Sequence, residues 1–242
     1  MEETTGPAKA GAEAPVPNFN PALHDPDIRS MVRINLRAMA TPMPLGFFTV
    51  AIDSVVVSAY QIGALPQSAQ TAVALVVLPA FVVQLTVAIF ALLCRDAIAA
   101  TLMGSFAASW LIEAGIFFFH PASATTVLGI FLITFSVFVF LILATVAAKR
   151  ALAAVVLVAA PRFLVSGIAA VTGNDATGKA GAVLGFLLAV VAMYTAWALL
   201  FEDTRGREVL PIGRIGPARA TSGNLAVQLR DIERQAGVRR TL

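Results

Sequence analysis

The stretch that decides the fold is residues 126–148, TVLGIFLITFSVFVFLILATVAA, which holds no Asp, Glu, Lys or Arg across its full length. A hydrocarbon core is about 30 Å thick and an α-helix rises about 1.5 Å per residue, so an uncharged apolar run of this length spans a bilayer as one helix. Continuous rather than alternating hydrophobicity excludes a β-barrel strand. Working outward, five further runs share this character, and the six spans are 44–64, 71–94, 97–118, 126–148, 151–172 and 180–201. Turn chemistry marks the breaks: Pro66-Gln67-Ser68, Arg95-Asp96, His120-Pro121, Lys149-Arg150 and Thr172-Gly173-Asn174-Asp175. The fold class is therefore an all-α integral membrane protein of six transmembrane helices.

Composition agrees. Of 242 residues, 58% are hydrophobic and 13% charged, against about 45–50% and about 25% in soluble domains. Mean hydropathy is +0.84. A net charge of +3 accompanies no aromatic-studded basic motif, so nucleic acid is not an expected partner, whereas the lipid bilayer is. One Cys and two His exclude a disulfide framework and leave no ligand set for a metal, and no cofactor is implied. HExxH, GxSxG and Walker A motifs are all missing, which argues against an enzyme and against ATP-driven transport.

The organisation is a tail at 1–43, a helical body at 44–201 and a second tail at 202–242. Residues 1–27, rich in Glu, Pro and Ala, read as disordered and carry no secretory signal. Residues 28–39 read as a short basic amphipathic helix on a membrane surface, and 224–236 as a small amphipathic helix. Of the 17 Lys and Arg, all but Lys179 and Arg162 fall on the side of the two termini. By the positive-inside rule both termini face the cytoplasm, in a multi-pass cytoplasmic-membrane protein.

Ionisable residues inside a span are functional candidates, because an unpaired charge there costs at least about 2.5–3.5 kcal/mol. Asp53 is tenth of 21 residues in the first span and Arg162 twelfth of 22 in the fifth. The two spans run in the same direction, so both residues lie near mid-membrane and are expected to pair. They either line a polar pathway, with Arg162 attracting an anion, or form a buried pair that only fixes helix packing. Glu113, seventeenth of 22 in the third span, reads as an interfacial, snorkelling carboxylate. Gln84 is a further intramembrane polar group. Gly181-xxx-Gly185 and Gly104-xxx-Ala108 mark close helix contacts, and Pro79 and Pro161 sit within spans.

Several short motifs now line up. Thr41-Pro42-Met43-Pro44-Leu45-Gly46 at the head of the first span resembles the Asn-Pro-Ala-Pro-Leu-Gly signature of the acetate uptake transporter family, the six-helix YaaH/SatP type. Gln84, Ser105-Phe106 with Trp110, Gly173-Asn174 and the closing Val209-Leu210-Pro211-Ile212-Gly213 resemble that family's later motifs in the same order. The resemblance implies a permease for small organic anions such as acetate. It further implies proton symport or anion-channel conduction, and a homo-oligomer, a hexamer, with a pathway in each protomer. By position, the family's apolar constriction falls on Val50, Phe106 and Phe163. Thr41 departs from the signature Asn, and Val50 from an aromatic. Asp53 and Arg162 stand at uncharged family positions beside that constriction, so an anionic substrate is expected to compete with Asp53 for Arg162. Two alternatives remain: another small solute on the same fold, or a non-transporting scaffold that presents its tails.

Overall fold

A computed structural model describes residues 40–94, 96–205 and 208–214. The amphipathic segments expected at 28–39 and 224–236, and the reading of 1–27, lie outside these residues. Six helices follow in order: α1 Met43–Gln61, α2 Gln70–Leu93, α3 Ala97–Phe119, α4 Ala124–Val146, α5 Arg150–Thr172 and α6 Asp175–Arg205. Each is long and apolar enough to cross a membrane. The spans read from hydropathy match them closely. The largest differences are in α6, which begins five residues earlier and ends four later than its apolar stretch.

Local chemistry explains the boundaries. Pro44 sits in the first turn of α1, where no helical N–H is lost. The Asp96 carboxylate accepts from Ala99 N at 2.9 Å and caps α3. Between α5 and α6 the turnaround needs two residues. Gly173, at φ +65°, ends α5 in the left-handed conformation, and Asn174 Oδ1 accepts from Thr177 N at 3.0 Å. That capping explains why α6 starts at Asp175 rather than at the first apolar residue. Both α2 and α5 run through their prolines, Pro79 and Pro161.

Short turns make sequence neighbours antiparallel, so Met43, Leu93, Ala97, Val146, Arg150 and Arg205 share one end, the Met43 end. The Gln61 end is opposite. The main contacts join each helix to its neighbours in the chain, and α6 packs back on α1. The result is a ring of six helices with α1, α3 and α5 side chains meeting at its centre. Its seams differ in width. Gly129 and Gly167 face each other so closely that a Cβ on either would stand 2.8 Å from the other's carbonyl oxygen, which draws α4 and α5 together. The α3–α4 seam is filled instead by rings: Phe106 lies 5.4 Å from Phe135, itself stacked between Phe131 and Phe138.

The closing motif has a structural role. Gly213 O and Ile212 O accept from Arg150 N and Ala151 N at 3.2 and 3.0 Å, satisfying two orphan donors at the start of α5. Tyr194 donates to Pro211 O at 3.0 Å, and Arg214 pairs with Glu202 through its two terminal guanidinium nitrogens, Nη1 and Nη2. Gly213 has φ +69°, and a Cβ there would come 2.8 Å from Arg150 Cβ. Gly213→Ala is therefore expected to destabilise the fold by about 1–2 kcal/mol, read as earlier thermal unfolding in detergent. Unchanged unfolding would show that the strap contributes nothing.

Candidate functional site

One face of α1 carries Met43, Phe47, Val50, Ser54, Val57 and Ser58, all buried and three or four residues apart where they are not adjacent. On α3 the matching face is Ala99, Leu102, Met103, Phe106, Ser109, Trp110, Glu113 and Phe117. On α5 it is Val155, Val156, Ala159, Arg162, Phe163 and Ser166. Because these faces meet, the centre of the ring changes character in layers from the Met43 end.

At that end lies an open cavity of about 260 Å³, lined by Thr41, Pro42, Met43, Ala91, Cys94, Asp96, Ala99 and Asp203. Signature residues thus have distinct tasks. Thr41 and Pro42 line this cavity, Pro44 starts the helix, and Gly46 admits Met103, whose Sδ would lie 2.7 Å from a Cβ there. Leu45 points away, 52% exposed on the outer surface.

The apolar layer is almost closed. Phe47, Val50, Leu102, Met103, Phe106, Val155, Val156 and Ala159 enclose about 10 Å³, about enough for one water-sized probe. Val50 and Phe106 both line this space. Phe163 does not line this space: it stands behind Phe106, ring centroids 5.5 Å apart, and against Phe135 at 5.0 Å. The lining that sequence reasoning missed, Phe47, Leu102, Met103, Val155, Val156 and Ala159, is aliphatic or aromatic throughout and differs from the lipid-facing residues in nothing but direction.

Beyond it the centre is polar. Asp53, Ser54, Ser58, Gln84, Glu113, Arg162 and Ser166 are all at most 6% exposed. Hydrogen-bond partners are lacking for Asp53 Oδ2, Glu113 Oε1, Arg162 Nε and Nη2, both Gln84 side-chain atoms, Trp110 Nε1 and the three serine hydroxyls. Buried polar groups are normally satisfied, so this concentration of unpartnered ones sets these residues apart from the apolar layer. Gly185 of α6 forms part of the wall: a Cβ there would lie 2.0 Å from Ser58 Oγ and 3.1 Å from Arg162 Nε. Gly181 likewise abuts Ser166. The Gly181-xxx-Gly185 motif therefore brings α6 against α5 and α1, whereas Gly104 meets Ala88 only at an ordinary 3.6 Å.

Two expectations need correction. Glu113 is not a snorkelling interfacial carboxylate but 3% exposed at the centre. It lies seven residues from Phe106, two helical turns on the same face, and that spacing was the available signal. Asp53 and Arg162 do not form an ion pair among the described residues. Depth alone put them together, and equal depth does not bring two side chains into contact. The Arg162 guanidinium also lies 5.2 Å from the Phe163 ring centroid, a cation–π contact.

The sequence model of the GPR1/FUN34/yaaH family matches residues 25–212. No curated protein matches the chain. Among solved structures, the bacterial acetate channel SatP superposes with a TM-score of 0.67 at 20% identity, covering 73% of this chain and 100% of that one. At that identity the likeness speaks for the fold, a six-helix ring held in common. The family match, which takes in the signature, the three lining helices and most of the closing strap, shows that this chain belongs to the GPR1/FUN34/yaaH family.

Proposed function

We propose that the centre of the ring is a gradient-driven pathway for small carboxylates, with acetate as the reference solute. The observation that carries this reading is Arg162: a guanidinium 1% exposed in a membrane-spanning helix, with Nε and Nη2 unpartnered. A planar donor fork is suited to a carboxylate, and a dry apolar ring ahead of it excludes hydrated ions. That SatP is an acetate channel supports the same solute class. The distribution of Lys and Arg supports a cytoplasmic membrane location with both termini inside, so the Met43 end faces the cytoplasm. Proton symport and a hexameric assembly belong to the proposal on the strength of the family resemblance.

The test is uptake of labelled acetate into proteoliposomes, with and without an inward proton gradient, after subtracting diffusion into protein-free liposomes. Saturable uptake that unlabelled acetate inhibits is the expected result, and stimulation by the gradient would mark symport. Uptake equal to that of empty liposomes, with folded protein, would remove acetate as a solute.

The narrow layer sets the rate in this reading. Val50→Ala is expected to raise initial uptake severalfold, since the layer encloses only about 10 Å³. Val50→Phe is expected to lower it by a similar factor, because an added ring overfills a packed space. Equal rates in both variants would place the rate-limiting barrier elsewhere.

A further inference from the structure

Three glycines on α6 face three α5 residues in one antiparallel register. A Cβ built on Gly178 would lie 3.9 Å from Ala169 Cβ, one on Gly181 2.6 Å from Ser166 Oγ, and one on Gly185 3.1 Å from Arg162 Nε. Each helical turn forward along α6 thus meets a turn back along α5. Only the last of these contacts involves a charged side chain. Gly185 also reaches α1, since its Cβ would stand 2.0 Å from Ser58 Oγ and 3.3 Å from Ser58 Cβ. Arg162 is 1% exposed, and its Cζ lies 5.2 Å from the Phe163 ring centroid. A guanidinium so enclosed cannot yield to an added methyl group by swinging into solvent. It has to shift within its own site.

We propose that Gly185 is a positioning residue for Arg162: the missing side chain on α6 seats the guanidinium where it holds a carboxylate. This rests on the pathway reading above and assigns part of the solute affinity to a residue that does not touch the solute. A methyl group on Gly185, with Arg162 Nε at 3.1 Å, requires that neighbour to give by a few tenths of an ångström. A misplacement of about 1 Å can cost about 100-fold, so a shift of this smaller size is expected to weaken binding by about three- to tenfold.

The experiment measures KM and maximal rate for labelled acetate uptake by proteoliposomes holding the full chain, corrected with protein-free liposomes. Thermal unfolding in detergent is followed on the same preparations. Gly185→Ala is expected to raise KM about three- to tenfold and to leave the maximal rate within about twofold. Ser58→Ala combined with Gly185→Ala covers the case in which the single variant folds poorly. The pair removes the contact at 2.0 Å, keeps the one on Arg162, and is expected to keep the raised KM relative to Ser58→Ala alone. Gly181→Ala is the comparison, because the nearest neighbours of its Cβ are Oγ, Cα and N of Ser166. It is expected to unfold earlier but to keep KM within about twofold of wild type. A KM unmoved by Gly185→Ala in both backgrounds overturns the proposal. A Gly181→Ala that raises KM as much also overturns it, since separation of α5 from α6 would then be the cause. Arg162→Gln keeps the two readings apart. If its uptake equals wild type, the pathway reading fails and this inference falls with it, whereas uptake that depends on Arg162 but not on Gly185 overturns this inference alone.

Discussion

Arg162→Gln is expected to bring protein-mediated carboxylate uptake down to the level of empty liposomes while the six-helix ring stays assembled. Arg162 supplies the one cationic side chain among the described residues of the polar layer, and its unpartnered nitrogens are the natural donors for a carboxylate. Losing one partner of a buried charged hydrogen-bonded contact costs about 2–5 kcal/mol, a loss of about 30-fold to several thousand-fold in binding. Gln retains the first methylenes and an amide donor, so packing around Ser58 and Gly185 survives. Arg162→Lys keeps the charge but not the planar fork, and is expected to recover part of the uptake. Uptake, detergent-phase monodispersity and thermal unfolding measured on the same preparations separate a lost solute contact from a lost fold. If Arg162→Gln keeps most of the wild-type uptake, Arg162 does not touch the solute.

The second large effect is structural. Gly167→Ala is expected to destabilise the protein by about 3 kcal/mol, because overpacking that must be relieved by backbone is at the costly end of its class. The new Cβ would lie 2.8 Å from Gly129 O and 2.9 Å from Ile133 N, both backbone atoms, so α4 and α5 must separate. Gly129→Ala should act alike, meeting Gly167 O at 2.8 Å and Val171 N at 3.0 Å. Gly104→Ala is the matched comparison. Its nearest neighbour would be Ala88 Cβ at 3.6 Å, and the gain in helix propensity of about 1 kcal/mol favours it. Thermal unfolding in one detergent should rank Gly104→Ala at or above wild type and both other variants well below. Equal unfolding of Gly167→Ala and Gly104→Ala would show that the α4–α5 contact is not tight in solution.

What could be read from the chain alone divides along a physical line. Span existence and order were legible because hydropathy reports whether a segment lies in hydrocarbon. Facing was not, because both sides of a membrane helix are apolar. On α2 the outward face is Leu75, Leu78, Val82, Leu85, Ile89 and Leu92, and the buried face includes Val73, Val77, Ala80, Val87 and Ala91. Only size and an occasional polar residue such as Gln84 tell them apart. Glu113 was misplaced for a related reason: rank within a span gives depth, whereas its seven-residue spacing from Phe106 gives the face. The Asp53–Arg162 pair failed because equal depth does not put two side chains in contact across a ring. Gly181 and Gly185 were legible as a motif on one helix. Gly129 and Gly167 were not, since each contributes one glycine to a reciprocal contact between two helices. The closing Pro211-Ile212-Gly213 could be matched to a family but not to a task. Its partners, the N–H groups of Arg150 and Ala151, are set by the fold.

Everything functional rests on solute passing through the centre of the ring, and a thiol placed in its narrow layer can test that. In a Cys94→Ser background, Val50→Cys puts a single cysteine where α1, α3 and α5 meet. The reconstituted protein is treated with a small anionic methanethiosulfonate during carboxylate flux. The expected result is a progressive loss of flux, slowed by saturating solute and reversed by reductant, with the Cys94→Ser parent unaffected. Full modification of the cysteine with undiminished flux would contradict a central pathway and send the search to another route through the protein.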